Sequence, residues 1–285
     1  GAIYLTAWGA VIKQVNITNC EATYSGGAIY VAGGGTTIIG SDFEDCFATG
    51  TSNDDGGGAI YMAGSYNNIS GSNFNNNKVI SDNARGGTIY ISSGEGTNIE
   101  GSYFNKSYAG QGGIIFIEGD EVIISSSTFA NSSSKFYGGA IYVEGDNATI
   151  QKSDFYNLNS KFGGSIFVDG EYSNILTSSF DKCVASSDGG AIYVNDMGTT
   201  VAYSNFTRSS ASTGGALYLN GVNTTVTYCN LTYNTAKSAG AIKVSGSDSY
   251  ISNCNISYNN ATSGAGGAVD IGGERASIYY SYIGF

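Results

Sequence analysis

The sequence predicts an all-β protein, a right-handed, single-stranded parallel β-helix of about 10–11 coils of 25–31 residues, with three short strands per coil. Two motifs that recur in every period, together with the absence of helical periodicity, support this prediction. The repeat continues without a linker or a change of composition, so we expect a single domain over residues 1–285.

The first motif reads Gly-Gly-Ala-Ile-Tyr in its fullest form. Its last glycine recurs every 25–31 residues, at Gly1, Gly27, Gly58, Gly87, Gly113, Gly139, Gly164, Gly190, Gly215, Gly240 and Gly267. A period kept over the whole chain is typical of a solenoid, in which each repeat buries its apolar face against its neighbours. Because side chains alternate along a strand, Ile29 and Val31 should point into the bore and Tyr30 outward. The glycine pair should form a corner.

The second motif reads Ile-x-x-Ser-x-Phe, as in residues 38–43, 69–74, 150–155 and 175–180. Stacking the coils should turn its phenylalanines into an inner aromatic ladder and its serines into an inward column of hydroxyls. Later copies replace the serine by Cys229 or Cys254 and keep apolar residues at both ends. The substitutions therefore preserve burial.

Composition excludes several classes of protein. The chain has 41% hydrophobic residues, 43 glycines and no proline, and its short β-branched and aromatic runs are separated by turn residues, which favours strands. A net charge of −11 with 12 scattered Lys and Arg argues against a nucleic-acid surface. No apolar run is long enough to span a membrane.

The residue between the two inward positions of each first motif should stand outside the bore. It is aromatic in nine consecutive coils: Tyr4, Tyr30, Tyr61, Tyr90, Phe116, Tyr142, Phe167, Tyr193 and Tyr218. Such a row could contact a glycan, a partner or a neighbouring rod. It could equally serve to stabilise adjacent strands, and the sequence leaves both readings open.

Carboxylates crowd three successive coils just after this position, at Glu118, Glu144 and Asp169. A hard cation such as Ca²⁺ could lie between them. No fixed calcium motif is present, and solvated turns are the favoured interpretation. We therefore predict no metal and no cofactor.

Two cysteine pairs share a column one coil apart, Cys20 with Cys46 and Cys229 with Cys254, while Cys183 has no such neighbour. The coil spacing would permit disulfides, and stacked buried thiols are the alternative. Sequons for N-glycosylation are numerous. They occur at Asn16, Asn68, Asn105, Asn131, Asn147, Asn205, Asn223, Asn230, Asn255 and Asn260.

Repeated Gly-Gly-Ala-Ile paired with Phe-x-x-Asn, complete at residues 74–77 and nearly so at 231–234 and 256–259, resembles the repeats of chlamydial polymorphic outer-membrane proteins and related adhesin-like proteins. The second motif departs at residues 43–46, 104–107, 155–158 and 180–183. The resemblance covers the whole chain and implies a surface-exposed β-helix that adheres or builds structure.

We expect an extracellular or cell-surface structural or adhesive protein whose partners are copies of itself or surface glycans. Neither end carries a capping helix, so we expect either that copies stack head to tail into a filament or that the chain is part of a longer repeat protein. The alternative is a glycan-binding or glycan-cleaving β-helix of the pectate lyase kind.

Against catalysis, the chain has no histidine, and its three arginines lie on different coils. The nearest carboxylate pair, Asp54 and Asp55, has the setting of a solvated turn. The expectation from sequence is that the chain is not an enzyme.

Overall fold

In the computed structural model, which describes residues 1–284, the chain is a parallel β-solenoid of eleven coils, and these residues form no helix. The predicted fold class is confirmed. Phe285, the last residue of the predicted domain, lies outside the described residues. Residues 1–284 thus contain no helix with the length and apolar character needed to span a bilayer.

Each strand pairs in parallel with its equivalents in the adjacent coils, as that of Ile29 does with those of Ile3 and Ile60. Four sheets result, which we call sheets A to D in the order in which each coil visits them. The strands of sheet A, which begin at the Ile-Tyr of the first motif, are Ile3–Leu5, Ile29–Val31, Ile60–Met62, Ile89–Ile91, Ile115–Ile117, Ile141–Val143, Ile166–Val168, Ile192–Val194, Leu217–Leu219, Ile242–Val244 and Val269–Ile271.

The second motif supplies the next two sheets, separated by a sharp turn at the position of Gly40. Sheet B contains Val11–Lys13, Thr37–Ile39, Asn68–Ser70, Asn98–Glu100, Ile123–Ser125, Thr149–Gln151, Asn174–Leu176, Thr200–Ala202, Thr225–Thr227, Tyr250–Ser252 and Ser277–Tyr279. Sheet C contains Asn16–Thr18, Asp42–Glu44, Asn73–Asn75, Tyr103–Asn105, Thr128–Ala130, Asp154–Tyr156, Ser179–Asp181, Asn205–Thr207, Asn230–Thr232, Asn255–Ser257 and Tyr282–Gly284.

The prediction of three strands per coil is wrong, because a fourth strand precedes the glycine pair that opens the next coil. Sheet D contains Glu21–Ala22, Phe47–Ala48, Lys78–Val79, Tyr108–Gln111, Ser133–Tyr137, Asn159–Phe162, Val184–Asp188, Ser210–Thr213, Thr235–Ser238 and Asn260–Ala261. Its inward residues are mostly small, such as Ala48, Ala109 and Ser134, all of them buried. Small residues give little hydrophobic alternation, so the sequence pattern resembled a turn.

The bore is filled as predicted. Ile29 and Val31 and their equivalents in the second to tenth coils are buried, whereas those of the two terminal coils are partly or fully exposed. The inner phenylalanines stack with ring centroids 4.7–5.0 Å apart and planes within 6° of parallel. This ladder contains Phe43, Phe74, Phe104, Phe129, Phe155, Phe180 and Phe206. The inner face of the solenoid is therefore a continuous apolar core.

The serine column forms a hydrogen-bond chain along the stack. The backbone N–H of Ser127 donates to Oγ of Ser153 at 3.2 Å, and Oγ of Ser127 donates to the carbonyl of Ser125 at 2.9 Å. Where cysteine replaces serine, Sγ of Cys254 accepts the N–H of Cys229 at 3.4 Å. The buried hydroxyls of this column thereby find partners without water.

The two positions of the glycine pair require glycine for different physical reasons. The first, for example Gly189, has a positive φ of 68°, which an alanine tolerates in one coil, where Ala239 has a φ of 55°. The second, Gly190, has no room for a side chain, because an added Cβ would lie 2.0 Å from the carbonyl oxygen of Gly215 on the next coil. The second glycine is the stricter requirement.

Candidate functional site: a cleft over sheet A

The nine outward aromatic residues form one contiguous row outside the bore, with neighbouring ring centroids 4.5–5.5 Å apart. Tyr4 is 66% exposed. The four rings in the middle of the row are buried, namely Tyr90, Phe116, Tyr142 and Phe167. The row therefore packs strand against strand along the middle coils, and a binding role for its exposed members stays a prediction.

A wall of side chains covers the middle of the row. It is formed by the residues directly before successive glycine pairs: Arg85, Gln111, Tyr137, Phe162 and Asp188. The Tyr137 ring lies 4.7 Å from that of Phe167, and the Arg85 guanidinium lies 4.5 Å over the Phe116 ring. Sheet D strands are longest here and shift register from coil to coil, which raises the wall above the face of sheet A.

Between this wall and the far edge of sheet A lies an open cleft of about 410 Å³. Its floor is aromatic, its wall mixes aromatic and amide groups with Arg85, and its far edge carries carboxylates. The lining residues are Arg85, Gln111, Tyr137, Tyr142, Glu144, Phe162, Phe167, Asp169, Tyr193 and Asn195. A concave site with an apolar floor and a few convergent polar groups is typical of ligand pockets.

The carboxylates predicted from the sequence to be neighbours, Glu118, Glu144 and Asp169, follow three adjacent strands of sheet A. Glu118 accepts hydrogen bonds from the Arg85 guanidinium and from the Tyr90 hydroxyl, the latter at 2.7 Å. Asp169 accepts from the Tyr142 hydroxyl at 2.8 Å and from the side-chain amide of Asn195 at 2.7 Å. The two outer carboxylates are therefore fixed in position.

Glu144, between them, has a different environment. Its nearest cationic atom is Nη2 of Arg85 at 3.8 Å, and its carboxylate forms no hydrogen bond within residues 1–284. Desolvation raises the pKa of Glu144 above its ordinary value; Arg85 opposes this shift, while the charges of Glu118 and Asp169 add to it. Glu144 is thus a carboxyl group facing the cleft with enhanced affinity for a proton.

The tyrosines of the floor remain neutral hydrogen-bond donors at ordinary pH. Burial, and then the hydrogen bond to Asp169, raise the pKa of Tyr142 well above its usual value. Burial raises the pKa of Tyr193 to about 12. Neither hydroxyl contributes charge to the cleft.

The Ca²⁺ hypothesis for Glu118, Glu144 and Asp169 finds no support in the geometry. Arg85 lies between Glu118 and Glu144 as the local cation. In the described part of the chain, no group of three or more His, Cys, Asp or Glu residues is placed to hold a metal ion.

The other residues considered from the sequence lie apart from the cleft. Asp54 is exposed in a turn, and Asp55 accepts the backbone N–H of Ser52 at 2.8 Å, which is the predicted solvated turn. The remaining arginines pair on the surface, Arg208 with Asp181 and Arg275 with Asp248. None of these charged groups lines the cleft.

The five cysteines, Cys20, Cys46, Cys183, Cys229 and Cys254, are free thiols in this structure, and only Cys20 is incompletely buried. The two predicted disulfide pairs remain predictions.

Seven of the ten sequon asparagines are exposed and three are partly buried, namely Asn68, Asn105 and Asn230. Asn205, Asn230 and Asn255 share one outward column, as expected. Two neighbouring sequon asparagines are linked, since the amide of Asn131 donates to that of Asn105 at 2.9 Å. Glycosylation of these sites remains a prediction.

Sequence reasoning missed the wall and the place of Arg85. The signal was available, since Arg85, Gln111, Tyr137 and Phe162 each directly precede a glycine pair. Stacking puts equivalent positions side by side, so an alignment of this position would have brought Arg85 to the edge of the aromatic row. Its reach across two coils to Glu118 and Glu144 depends on the side-chain conformation and could not be read from spacing.

No protein-family model and no curated protein matches the chain. The resemblance to chlamydial polymorphic outer-membrane proteins therefore stays a prediction. Among solved structures, the chain is similar to the crystal structure of the periplasmic alginate epimerase AlgG, with a TM-score of 0.51 and 10% sequence identity. The match covers 96% of this chain and 76% of that one. At this identity the likeness establishes a shared parallel β-helix fold.

This finding corrects the expectation that the chain is not an enzyme, because the structural match is a carbohydrate-modifying enzyme. The expectation of a non-enzyme rested largely on the absence of histidine. Carboxyl and tyrosine groups also transfer protons in catalysis, and the fold gathers both in one cleft.

Proposed function

We propose that the chain is a carbohydrate-active β-helix that binds a neutral polysaccharide in the cleft over sheet A and hydrolyses a glycosidic bond there. Glu144 is the general acid in this proposal, and Asp169 is the second carboxylate. The observation that carries the proposal is Glu144 itself: a carboxyl group that faces the cleft, has no hydrogen-bond partner within residues 1–284 and has a raised pKa. This combination suits a general acid, because a raised pKa favours the protonated carboxyl group that must give its proton to the leaving oxygen.

Asp169 meets the requirements for the second group. It lines the same cleft on the next coil, and the Tyr142 hydroxyl and Asn195 amide orient both of its oxygens. Adjacent strands lie about 4.8 Å apart. Carboxyl groups separated by about 5 Å are the arrangement of glycosidases that retain configuration.

The chemistry balances with these two groups. Glu144 gives its proton to the glycosidic oxygen as the bond to the anomeric carbon breaks, and Asp169 forms a glycosyl ester with that carbon. Water then attacks the ester, and Glu144 takes the proton of the water, which restores both carboxyl groups.

The charge of the cleft favours a neutral substrate. Three carboxylates lie on its edge or directly beside it, whereas Arg85 is the one cation lining it and is already engaged with Glu118. An anionic polymer such as alginate would meet repulsion there. The partly exposed rings of Tyr137, Phe162 and Tyr193, which also line the cleft, suit the apolar faces of uncharged sugar rings.

The test is release of reducing ends from soluble neutral polysaccharides, with xylan, galactomannan and mixed-linkage glucan as the panel and polygalacturonate as the anionic comparison. Glu144→Gln should lower the rate on an active polymer by about 10²–10⁴-fold, the usual contribution of a general acid. Asp169→Asn should abolish turnover as well. Glu100→Gln, on the exposed face of sheet B, is the matched control and should leave the rate unchanged.

Turnover that survives Glu144→Gln would contradict the assigned roles. Product release from polygalacturonate alone would contradict the neutral substrate and point to proton abstraction chemistry. No release from any neutral polymer, with a folded protein, would contradict hydrolysis.

An extracellular structural or adhesive role is a second candidate, favoured by exposed tyrosines on the later coils. The rings of Tyr203 and Tyr228 stack with centroids 5.0 Å apart just before strands of sheet C. Those of Tyr233 and Tyr258 stack with centroids 5.1 Å apart just after strands of the same sheet. Each of the four is more than half exposed. Solution scattering at increasing concentration tests the predicted head-to-tail assembly, since a rod of constant length would contradict it.

A further inference from the structure

Trp8, the one tryptophan of the chain, is exposed on the first coil. It lies at the corner between sheets A and B, with 69% of its surface accessible. This large apolar side chain belongs neither to the core nor to the lining of the cleft.

The indole rests on the backbone of the second coil. A Cβ added at Gly34 would lie 2.3 Å from its Cζ3 atom, and a Cβ added at Gly35 would lie 2.9 Å from its Nε1 atom. Atoms at both ends of the indole therefore contact two consecutive glycines. The ring is seated against peptide backbone on one side, and the other side is open to solvent.

Tyr66, two coils further along the same corner, has an equivalent seat. A Cβ added at Gly96 would lie 2.7 Å from its Cδ1 atom. Its hydroxyl donates to the carboxylate of Glu95, which fixes the ring, and the ring is 6.5 Å from that of Trp8. Tyr66 is 55% exposed. The two rings form a held, exposed aromatic surface, which we call the corner platform.

We propose that the corner platform is a remote binding site for the same neutral polysaccharide, which runs along the solenoid axis from the cleft toward the first coil. This inference rests on the proposed function and adds to it that the substrate is a long polymer. Sugar C–H groups pack on the electron-rich faces of aromatic rings, and rings held by backbone lose little entropy on binding.

Continuity with the cleft supports this occupant. The corner platform and the carboxylates Glu144 and Asp169 lie at the same edge of sheet A, where its strands end. From the first coil to the sixth, which contains Glu144, the distance along the axis is about 24 Å at about 4.8 Å per coil. A chain of several sugar units would span it, and the carboxylate of Glu95 at the platform disfavours a polyanion while accepting sugar hydroxyls.

Fluorescence tests the proposal directly, because emission from tryptophan comes from Trp8 alone. Titration with xylan, galactomannan or mixed-linkage glucan should shift the emission to shorter wavelength and reduce quenching by acrylamide at least two-fold. Short oligosaccharides that fill only the cleft should leave the emission unchanged. The inactive Glu144→Gln variant should give the same shift, which separates the platform from the chemistry.

Variants provide the second measurement. Trp8→Ala should weaken binding of the responding polymer about ten-fold in affinity electrophoresis and leave cleavage of short oligosaccharides unchanged. Trp8→Tyr should retain most of the binding, and Tyr24→Ala, equally exposed on the first coil, should have no effect.

An absence of spectral change with all three polymers would overturn the platform, whether or not the cleft is active. Equal loss on short and long substrates in Trp8→Ala would overturn it too, since that would indicate a general structural effect. A spectral shift without turnover would retain the platform and refute hydrolysis.

Discussion

Replacing the second glycine of one pair by alanine should cost far more stability than adding the same methyl group at an open position of the solenoid. In Gly190→Ala, the new Cβ would lie 2.0 Å from the carbonyl oxygen of Gly215, where an ordinary contact needs at least 3.4 Å. The two coils must separate locally, which disrupts the hydrogen bonds from Gly190 N–H to Gly214 at 3.0 Å and from Ala191 N–H to Ala216 at 2.8 Å.

The cost follows from these bonds. Each buried backbone group left without its partner costs about 1–3 kcal/mol, so two broken bonds with some lost packing give a decrease of about 3–5 kcal/mol in the free energy of unfolding. Urea denaturation followed by circular dichroism measures it. A local opening of the neighbouring coils would appear as a broader transition, because repeats contact only their neighbours.

The matched control is Gly71→Ala, which adds the same methyl group in open space. An alanine there meets no atom within 4 Å and is strained only by the φ of +54°, at about 1 kcal/mol. If Gly190→Ala costs no more than Gly71→Ala, the close approach of coils is not what requires the glycine, and the reasoning is refuted.

Three further predictions concern the core, the thiols and the cleft. Ser153→Ala should destabilise by about 1–3 kcal/mol, because the Ser127 N–H loses its acceptor, whereas Ser153→Cys, which retains an acceptor, should cost less in the same urea assay. Iodoacetamide should label Cys20 in the native protein and spare Cys183, since burial raises the pKa of the Cys183 thiol to about 12. Peptide mass mapping measures the labelling, and equal labelling of the two cysteines would contradict the prediction. Because the pKa of Glu144 is raised on folding, the folded state binds the proton of Glu144 more tightly than the unfolded state does. The stabilising contribution of this proton is therefore complete below the unfolded pKa of about 4.3. It is lost as the pH rises through the pKa of the folded state. Glu144→Gln should therefore flatten the fall in unfolding free energy over that range, and parallel curves for variant and parent would contradict this.

The cleft shows where sequence reasoning stopped. That Glu118, Glu144 and Asp169 are neighbours followed from the period, because equivalent positions stack. Their different partners did not follow, since Arg85, Tyr90 and Tyr142 reach them from other columns through long side chains. The difference between Glu144 and its neighbours, on which the proposed chemistry depends, is therefore a property of the folded structure alone.

The sequence by itself determined the solenoid, its coil boundaries and the residues of its bore, because a short period with β-branched and aromatic alternation can bury its apolar residues in few other ways. It also determined which residues share a column. Only the tertiary structure decided which outward rings are exposed. Tyr4 and Tyr142 occupy the same column, yet one is open and the other is covered by a wall that only the middle coils raise. Exposure depends on what the neighbouring columns place over a residue, and local sequence carries no record of that.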